Sequence, residues 1–336
     1  MSWLIASAGA LLVLLTILDL LWTTLWVDGG AGPLSRWATR GLWRGLRAVG
    51  GGSRLFSLAG PLALVATLLL WIAMLWAGWT LVFAGGEPSL LDTRADEPSD
   101  WTGRAWFAAY TLFTVGNGDF TPVDGPWQIA AALTAASGMT FVTFAVSYVL
   151  SVLSAVASKR SFASGVTGLG ESAEEYVLSG WDSQTFHALD RPLASAGSEL
   201  DRLADQHRTY PILHYYHSER AEAAAALAVA VLDEALTVLA CGVAAEARPN
   251  GAVVKSARSS VRSYLRTLVE AGIDPAEYSP PPPDLGRLAA AGVPTVSDAA
   301  FAQALGDLDE RRRKLLGVVT ADARTWPVAE SRTSAS

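Results

Sequence analysis

Apolar residues gather in three long runs in the first half of the chain, and polar residues dominate the second half. Each run is long enough to cross a bilayer as a helix, which takes about 20 apolar residues. The runs are Trp3 to Val27, Leu55 to Phe83 and Trp127 to Ala157. The pattern predicts six segments: a membrane helix over 1–28, a basic segment over 29–54, an outer helix over 55–84, a loop region over 85–126, an inner helix over 127–158 and a polar helical domain over 159–336.

Two segments between the runs have helical patterns of their own. Arginines recur at spacings of three and four over residues 35–49, at Arg36, Arg40, Arg44 and Arg47. This spacing predicts an amphipathic helix on the inner leaflet, or otherwise a solvated basic connector. Thr102 to Thr114 offers about three turns of helix capped by Thr102, while the outer loop before Trp101 has no regular pattern.

Composition places the chain in a membrane. It has 336 residues, of which 51% are hydrophobic, and a positive mean hydropathy, so it is too apolar for an ordinary soluble protein. The first run starts at Trp3 without a basic region before it or a small-residue cleavage site after it, which predicts a retained helix. The single cysteine, Cys241, excludes an intrachain disulfide.

Charge in the loops predicts the orientation. The segment after the first run carries arginines, whereas the loop before Trp101 carries Glu87, Asp92, Asp96, Glu97 and Asp100. Because positive loops stay inside, we expect a multi-pass protein of the cell membrane with its N-terminus outside and its C-terminal domain in the cytoplasm. A second basic stripe, Lys255, Arg258, Arg262 and Arg266, is either solvated or meets anionic inner-leaflet lipids or acidic patches of a neighbour.

One hexapeptide between the second and third runs indicates ion binding: Thr114-Val115-Gly116-Asn117-Gly118-Asp119. A dehydrated cation needs a ring of oxygens in place of water, and glycines at alternate positions let successive carbonyls point to one side. A tight turn is the competing interpretation of Gly-Asn-Gly-Asp. Because irregular backbone at membrane depth survives only where it lines a cavity, the context favours a selectivity filter.

The hexapeptide resembles the T-V-G-Y-G-D signature of potassium channels, and the helical segment before it resembles their pore helix. The resemblance covers roughly Leu55 to Arg160 and identifies the pore module of bacterial two-helix, pore-loop channels, preceded here by an extra membrane helix and followed by an unrecognised helical domain. It implies an all-α membrane protein, a homotetramer with one filter strand per chain, and neither enzymatic activity nor a cofactor beyond K⁺. The ions would bind at Thr114, Val115, Gly116, Asn117 and Gly118.

This filter departs from the family signature at Asn117, where tyrosine is usual. The matching pore-helix aromatic is Phe107, which has no polar group to bond outward. We therefore expect Asn117 to bond Thr111 or a neighbouring strand, and Trp106 or Tyr110 to hold Asp119 from behind. A looser filter would admit sodium.

The third run carries the candidate gate. The resemblance makes Gly138 the hinge of the inner helix, while a glycine in a membrane helix also permits close packing. Two sets of residues compete to line the inner pore, and the sequence leaves the choice open. One is the hydroxyl set Thr140, Thr143, Ser147, Ser151 and Ser154, and the other is the apolar set Met139, Val142, Val146 and Leu150.

Two groups of polar residues lie outside the predicted filter and gate. Asp19 lies inside the first span, one turn before Thr23, where a carboxyl group needs a partner, and we expect an interhelical contact there rather than ion conduction. His207, His214 and His217, with Glu219, lack a recognised metal-ligand spacing and are expected to be core or surface histidines.

The sequence thus predicts a potassium-selective channel gated at the inner helix by its C-terminal domain. A nonselective Na⁺/K⁺ channel and a non-conducting membrane signalling scaffold are the alternatives. No nucleophile-and-base pair and no arginine-rich voltage sensor is evident, and no nucleic-acid partner is expected.

Overall fold

The computed structural model describes residues 2–26, 30–48, 58–218 and 220–328, and almost all of its regular structure is helical. The predicted run ends at Val27 and Leu55, together with Glu219 and the side chain of Arg47, lie outside the described residues. The chain divides into two compact units. We name them the pore unit, which ends at Leu153, and the C-terminal unit, which begins at Ser154.

Each predicted membrane run forms a helix of the pore unit. The third helix continues well beyond the predicted end at Ala157, because Phe162, Ala163 and Val166 bury an apolar face in the C-terminal unit's core. The helices of this part of the chain are α1 (Ser2–Leu25), α2 (Pro33–Ala48), α3 (Ala59–Ala84), α4 (Trp101–Leu112) and α5 (Pro126–Thr167).

Asp19 joins the first three helices, as its burial in α1 requires. Its Oδ1 accepts a hydrogen bond from Leu34 N at 2.8 Å, and its Oδ2 accepts bonds from Ser35 Oγ at 2.6 Å and Trp71 Nε1 at 2.9 Å. Thr23 Oγ1 accepts from Gly32 N at 2.9 Å. The carboxyl group therefore satisfies the first backbone N–H groups of α2, which is a favourable place for negative charge.

The loop between α3 and α4 has more regular structure than expected. It contributes β1 (Leu90–Asp92) and β2 (Glu97–Pro98) to a three-stranded sheet whose third strand, β3 (Phe120–Pro122), comes after the hexapeptide. Both pairings are antiparallel, and Asp92 lies opposite Phe120. Strands of two or three residues are too short to show the alternation of apolar and polar residues that marks a strand in a sequence. The pairing of β1 with β3 also joins residues that lie far apart in the chain.

The C-terminal unit has one apolar core. The tail of α5 packs in it with α6 (Ala173–Ser179), α7 (His187–Thr209), α8 (Ala225–Thr237), α9 (Gly251–Glu270), α10 (Leu285–Ala290), α11 (Asp298–Gly306) and α12 (Asp309–Ala321). Helices α7 and α9 pack along much of their length, and α8 lies between α6, α9 and α12. A π-helical turn, Val238–Gly242, extends α8.

Among the described residues, four helices are long and apolar enough to span a membrane, one more than the sequence predicts. The fourth, Ala225–Gly242, is the central helix of the C-terminal unit and is mostly buried there. Its two acids are paired: Asp233 with Arg311, and Glu234 with Arg312 at 2.8 Å. Apolar residues all round this helix reflect burial in protein.

The three histidines line one small cavity of the C-terminal unit, around Lys159 of α5. His207 Nδ1 lies 3.0 Å from Leu203 O, and His217 Nδ1 lies 2.5 Å from Asp322 Oδ1. Within the described part of the chain, no three His, Cys, Asp or Glu side chains form a potential metal site. Lys159 Nζ instead donates to Tyr216 O at 2.9 Å.

Candidate selectivity filter

Hydrogen bonds cap the pore helix α4 at its start and join its end to the hexapeptide. Its N-cap is Asp100, whose Oδ1 accepts from Gly103 N at 2.7 Å, so the predicted cap Thr102 lies inside the helix. At the other end, Thr111 O accepts from Thr114 N at 3.0 Å and Tyr110 O accepts from Val115 N at 2.8 Å. The hexapeptide therefore starts directly from the negative end of the helix dipole, which favours a cation.

The hexapeptide backbone has a positive φ at every second residue. Thr114, Gly116 and Gly118 have φ values of 56°, 64° and 79°, whereas the intervening Val115 and Asn117 do not have positive φ. Alternation of left- and right-handed residues aligns successive peptide groups, so that N–H groups face one side and carbonyls the other. Glycine suits two of these positions because it adopts positive φ without a steric penalty.

The first four carbonyls of the hexapeptide accept no hydrogen bond from the described part of the chain. Among the described residues, no hydrogen-bond donor reaches the carbonyls of Thr114, Val115, Gly116 or Asn117. A Cβ added at Gly116 or Gly118 would meet no atom within 4 Å, and the Val115 side chain is 69% exposed. The strand is thus held at its ends and leaves a row of oxygens available to an ion.

The outer end of the hexapeptide is held by the turn after β1. Thr93 Oγ1 donates to Asp119 O at 2.9 Å and lies 3.1 Å from Gly118 O, and Thr93 N donates to Asp119 O at 3.0 Å. The Arg94 guanidinium pairs with the Asp119 carboxylate, and this bond raises the pKa of Arg94 above its usual value. We name Thr93 and Arg94 the outer clamp.

Sequence reasoning missed the outer clamp. Thr93 and Arg94 lie in an irregular loop, about 25 residues before their partners, and no motif or spacing marks them. Only the antiparallel pairing of β1 with β3 brings this loop to the hexapeptide.

Asn117 does not bond the pore helix of its own chain. Its Nδ2 donates to Asp119 Oδ2 at 2.5 Å, so the expected bond to Thr111 is not formed. The bond is local, since the two residues lie only two positions apart in the chain. The Asp119 carboxylate therefore accepts a hydrogen bond from Asn117 and forms an ion pair with Arg94.

The pore-helix aromatics support the strand one residue further on than expected. Tyr110 Oη donates to Phe120 O at 3.0 Å, and Trp106 packs edge-on against Tyr110 with ring centroids 5.9 Å apart. Among the described residues, Asn117 and Arg94 hold the Asp119 side chain where Trp106 or Tyr110 was expected to hold it, and Tyr110 bonds the next residue instead. Phe107 lies in the core, 5.0 Å from the ring of Phe83.

Gly138 brings the inner helix against the end of the pore helix. A Cβ at this position would overlap Leu112 O. Helix α5 runs unbroken through Gly138, from Pro126 to Thr167. The structure therefore shows the packing role, and bending at Gly138 during gating stays a prediction.

Neither candidate set for the inner pore is covered within one chain. The apolar residues Met139, Val142, Val146 and Leu150 are exposed. Of the hydroxyl set, Thr140, Thr143 and Ser147 donate to carbonyls one turn back, at 2.8 to 2.9 Å, and Ser154 is exposed while Ser151 is half-buried. Because the helix itself satisfies these three hydroxyls, they do not require a wet pore, and the apolar set is free to line it.

Comparison with known proteins adds two findings. Residues 66–155 match the ion channel family, a span that includes most of α3, the pore helix, the hexapeptide and α5 through the two candidate pore-lining sets. Over 324 residues, 96% of this chain, it is 44% identical to the uncharacterized membrane protein YdjJ of Bacillus subtilis strain 168, covering 95% of that protein. The second likeness includes the C-terminal unit. No solved structure matches this chain.

Proposed function

This chain belongs to the two-helix, pore-loop ion channel family, and from that premise we propose that it is a potassium-selective channel formed by four copies. Each chain has one pore loop, so a closed ring of oxygens requires several copies around an axis. In the proposed assembly the carbonyls of Thr114, Val115, Gly116 and Asn117, with the Thr114 hydroxyl, replace the water of successive K⁺ ions. Gly118 ends the row.

The observation that carries this proposal is the alternating backbone with unengaged carbonyls. A hairpin turn would use these oxygens in its own hydrogen bonds, whereas the strand from Thr114 to Asn117 leaves all four unbonded among the described residues. Conduction needs several adjacent sites of moderate affinity, which a row of carbonyls provides.

The outer clamp supports selectivity despite Asn117. In this chain the strand is fixed at its outer end by Thr93, Arg94 and Tyr110, which together bond residues 118 to 120. A braced strand keeps its carbonyls at a distance set for one ion size, so the loss of tyrosine is compensated from the loop side. Gating at α5 by the C-terminal unit and a cytoplasmic location of that unit belong to the same proposal.

A nonselective cation channel is the second candidate, and one observation favours it. Asn117 is exposed and bonds only locally, so the middle of the strand lacks a bond to the pore helix. A filter that widens there would admit hydrated Na⁺.

The test is ion flux through the purified, full-length protein in planar bilayers. With K⁺ on one side and Na⁺ on the other, we expect a reversal potential near the potassium equilibrium potential. Equal permeability to K⁺ and Na⁺ would rule out potassium selectivity and support the nonselective channel. Absence of any current would favour a membrane scaffold. As a control, Gly116→Ala should abolish current in an assembled protein, because alanine strains at a φ of 64°.

A further inference from the structure

A groove in the C-terminal unit combines an apolar floor with a cationic rim. It has a volume of about 390 Å³ and lies where the π-helical turn Val238–Gly242 meets the first half of α9. Buried Leu239 and Val254 form part of the floor. The rim carries Arg248, Lys255, Arg258 and Arg262. Small-molecule sites typically have volumes of about 300 to 1,000 Å³, so the groove is large enough for a ligand.

Helical spacing brings the charges to one place. Lys255, Arg258 and Arg262 lie three and four residues apart, on one face of α9. Arg248 reaches the same groove from the segment before the helix, and its Nε donates to Val243 O at 3.0 Å, which orients the guanidinium. The helix begins at Gly251, so its positive dipole end also lies at the groove.

The four cations are not neutralised by the fold. In the described ranges, none of them forms an ion pair with an acidic side chain. Other arginines of the same unit are paired: Arg287 with Glu175, Arg311 with Asp233 and Arg312 with Glu234. Like charges three and four residues apart destabilise a helix, so a bound anion would relieve repulsion that the protein leaves uncompensated.

We propose that this groove binds an anion carrying two or more phosphate groups. Guanidinium groups bind phosphate oxygens through paired, charge-assisted hydrogen bonds, and three arginines supply such groups here. The apolar floor would hold the uncharged part of the same molecule. Both soluble polyphosphates and the headgroup of a two-phosphate lipid have this chemistry. The site does not depend on ion conduction.

Binding to the full-length protein in detergent tests the proposal in two arms. Isothermal titration with inorganic pyrophosphate and with ADP measures the soluble arm, and native mass spectrometry with added cardiolipin, against phosphatidylcholine, measures the lipid arm. We expect saturable binding in at least one arm, weakened by added salt because the contacts are ionic. Binding of pyrophosphate or ADP assigns a soluble ligand, and binding of cardiolipin alone assigns a lipid headgroup.

Matched charge variants locate the site. Arg262→Gln removes one rim charge at an exposed position and should weaken binding about tenfold, the effect of losing one charge-assisted contact. Arg258→Lys should retain more affinity than Arg258→Gln. The control is Arg266→Gln, which makes the same change on the same helix outside the groove and should alter affinity less than about twofold. Absence of binding in both arms, or equal affinities of the Arg262→Gln and Arg266→Gln proteins, would overturn the proposal.

Discussion

Single residues at the end of the hexapeptide determine how its backbone is held. Tyrosine would brace the strand at position 117 from the pore helix, whereas here Asn117 bonds Asp119, and Thr93 and Arg94 bond the same segment from the loop. The bracing thus moves from the middle of the strand to its outer end. The clamp and the four unengaged carbonyls next to it together define the candidate site.

The proposed selectivity makes Thr93 of the outer clamp a position to test. Thr93→Val keeps the shape of the side chain but removes the hydroxyl that bonds Asp119 O, so we expect the K⁺ over Na⁺ permeability ratio to fall about fivefold, equivalent to about 1 kcal/mol. Reversal potentials under bi-ionic conditions measure it. Thr102→Val, an exposed threonine of the pore helix, is the control. An unchanged ratio in Thr93→Val would show that the hydroxyl does not brace the filter.

His207 couples the stability of the C-terminal unit to pH. Burial lowers its pKa from 6.5 to about 3, so the folded protein keeps this histidine neutral while the unfolded chain takes up a proton below about pH 6.5. Above that pH, the neutral ring makes its full contribution to the free energy of unfolding. It should decrease by up to about 1.4 kcal/mol per pH unit on acidification toward pH 3.

Denaturant unfolding of the full-length protein between pH 7.5 and 4.5 measures this dependence. His207→Gln should reduce the slope of stability against pH. His187→Gln, which removes an exposed histidine, should leave it unchanged. Identical slopes for wild type and His207→Gln would mean that other groups account for the acid sensitivity.

At the scale of elements, two close contacts join helices of the pore unit. Asp19 of α1 caps α2 and accepts a bond from Trp71 of α3. Gly138 of α5 lets its backbone approach the last carbonyls of the pore helix. The first contact joins α1, α2 and α3, and the second places α5 against the pore helix; both add to an apolar core that α1, α3, the pore helix and α5 share. Polar bonds and close backbone approach suit helices that have no hydrophobic driving force to associate in lipid.

Alanine at Gly138 should therefore disrupt the pore unit. The added methyl group overlaps Leu112 O, so we expect a lower thermal midpoint and loss of current, although alanine favours helix over glycine by about 0.5 to 1 kcal/mol. Gly165→Ala, on the same helix with no atom within 4 Å of the added Cβ, should be neutral or stabilising. Thermal unfolding and single-channel recording measure both. Equal tolerance of the two substitutions would argue for a purely flexible role at Gly138.

At the scale of the molecule, one helix belongs to two units. Helix α5 runs without a break through the boundary between the two units at Leu153 and Ser154, so the proposed gating would act along this helix. The proposed topology puts the C-terminal unit on the cytoplasmic side, with Ala225–Gly242 buried in it rather than crossing the membrane.

The single cysteine tests this topology. Cys241 is partly exposed at the end of that helix, so a membrane-impermeant maleimide should label it in inside-out vesicles and not in intact cells. In a Cys241→Ser background, Ala95→Cys in the acidic loop should show the opposite pattern. Labelling of Cys241 from outside the cell would contradict the orientation.

The sequence by itself determined the all-helical class, a long apolar helix at each of the three runs, and the place of the glycine-bearing hexapeptide between the second and third of them. These depend on local information: runs of apolar residues and glycines at alternate positions. Only tertiary structure decided that Thr93 and Arg94 clamp Asp119, that Gly138 meets Leu112, and that the helix from Ala225 lies inside a protein core. Contacts between distant segments decide these points, and burial in protein or in lipid demands the same apolar composition.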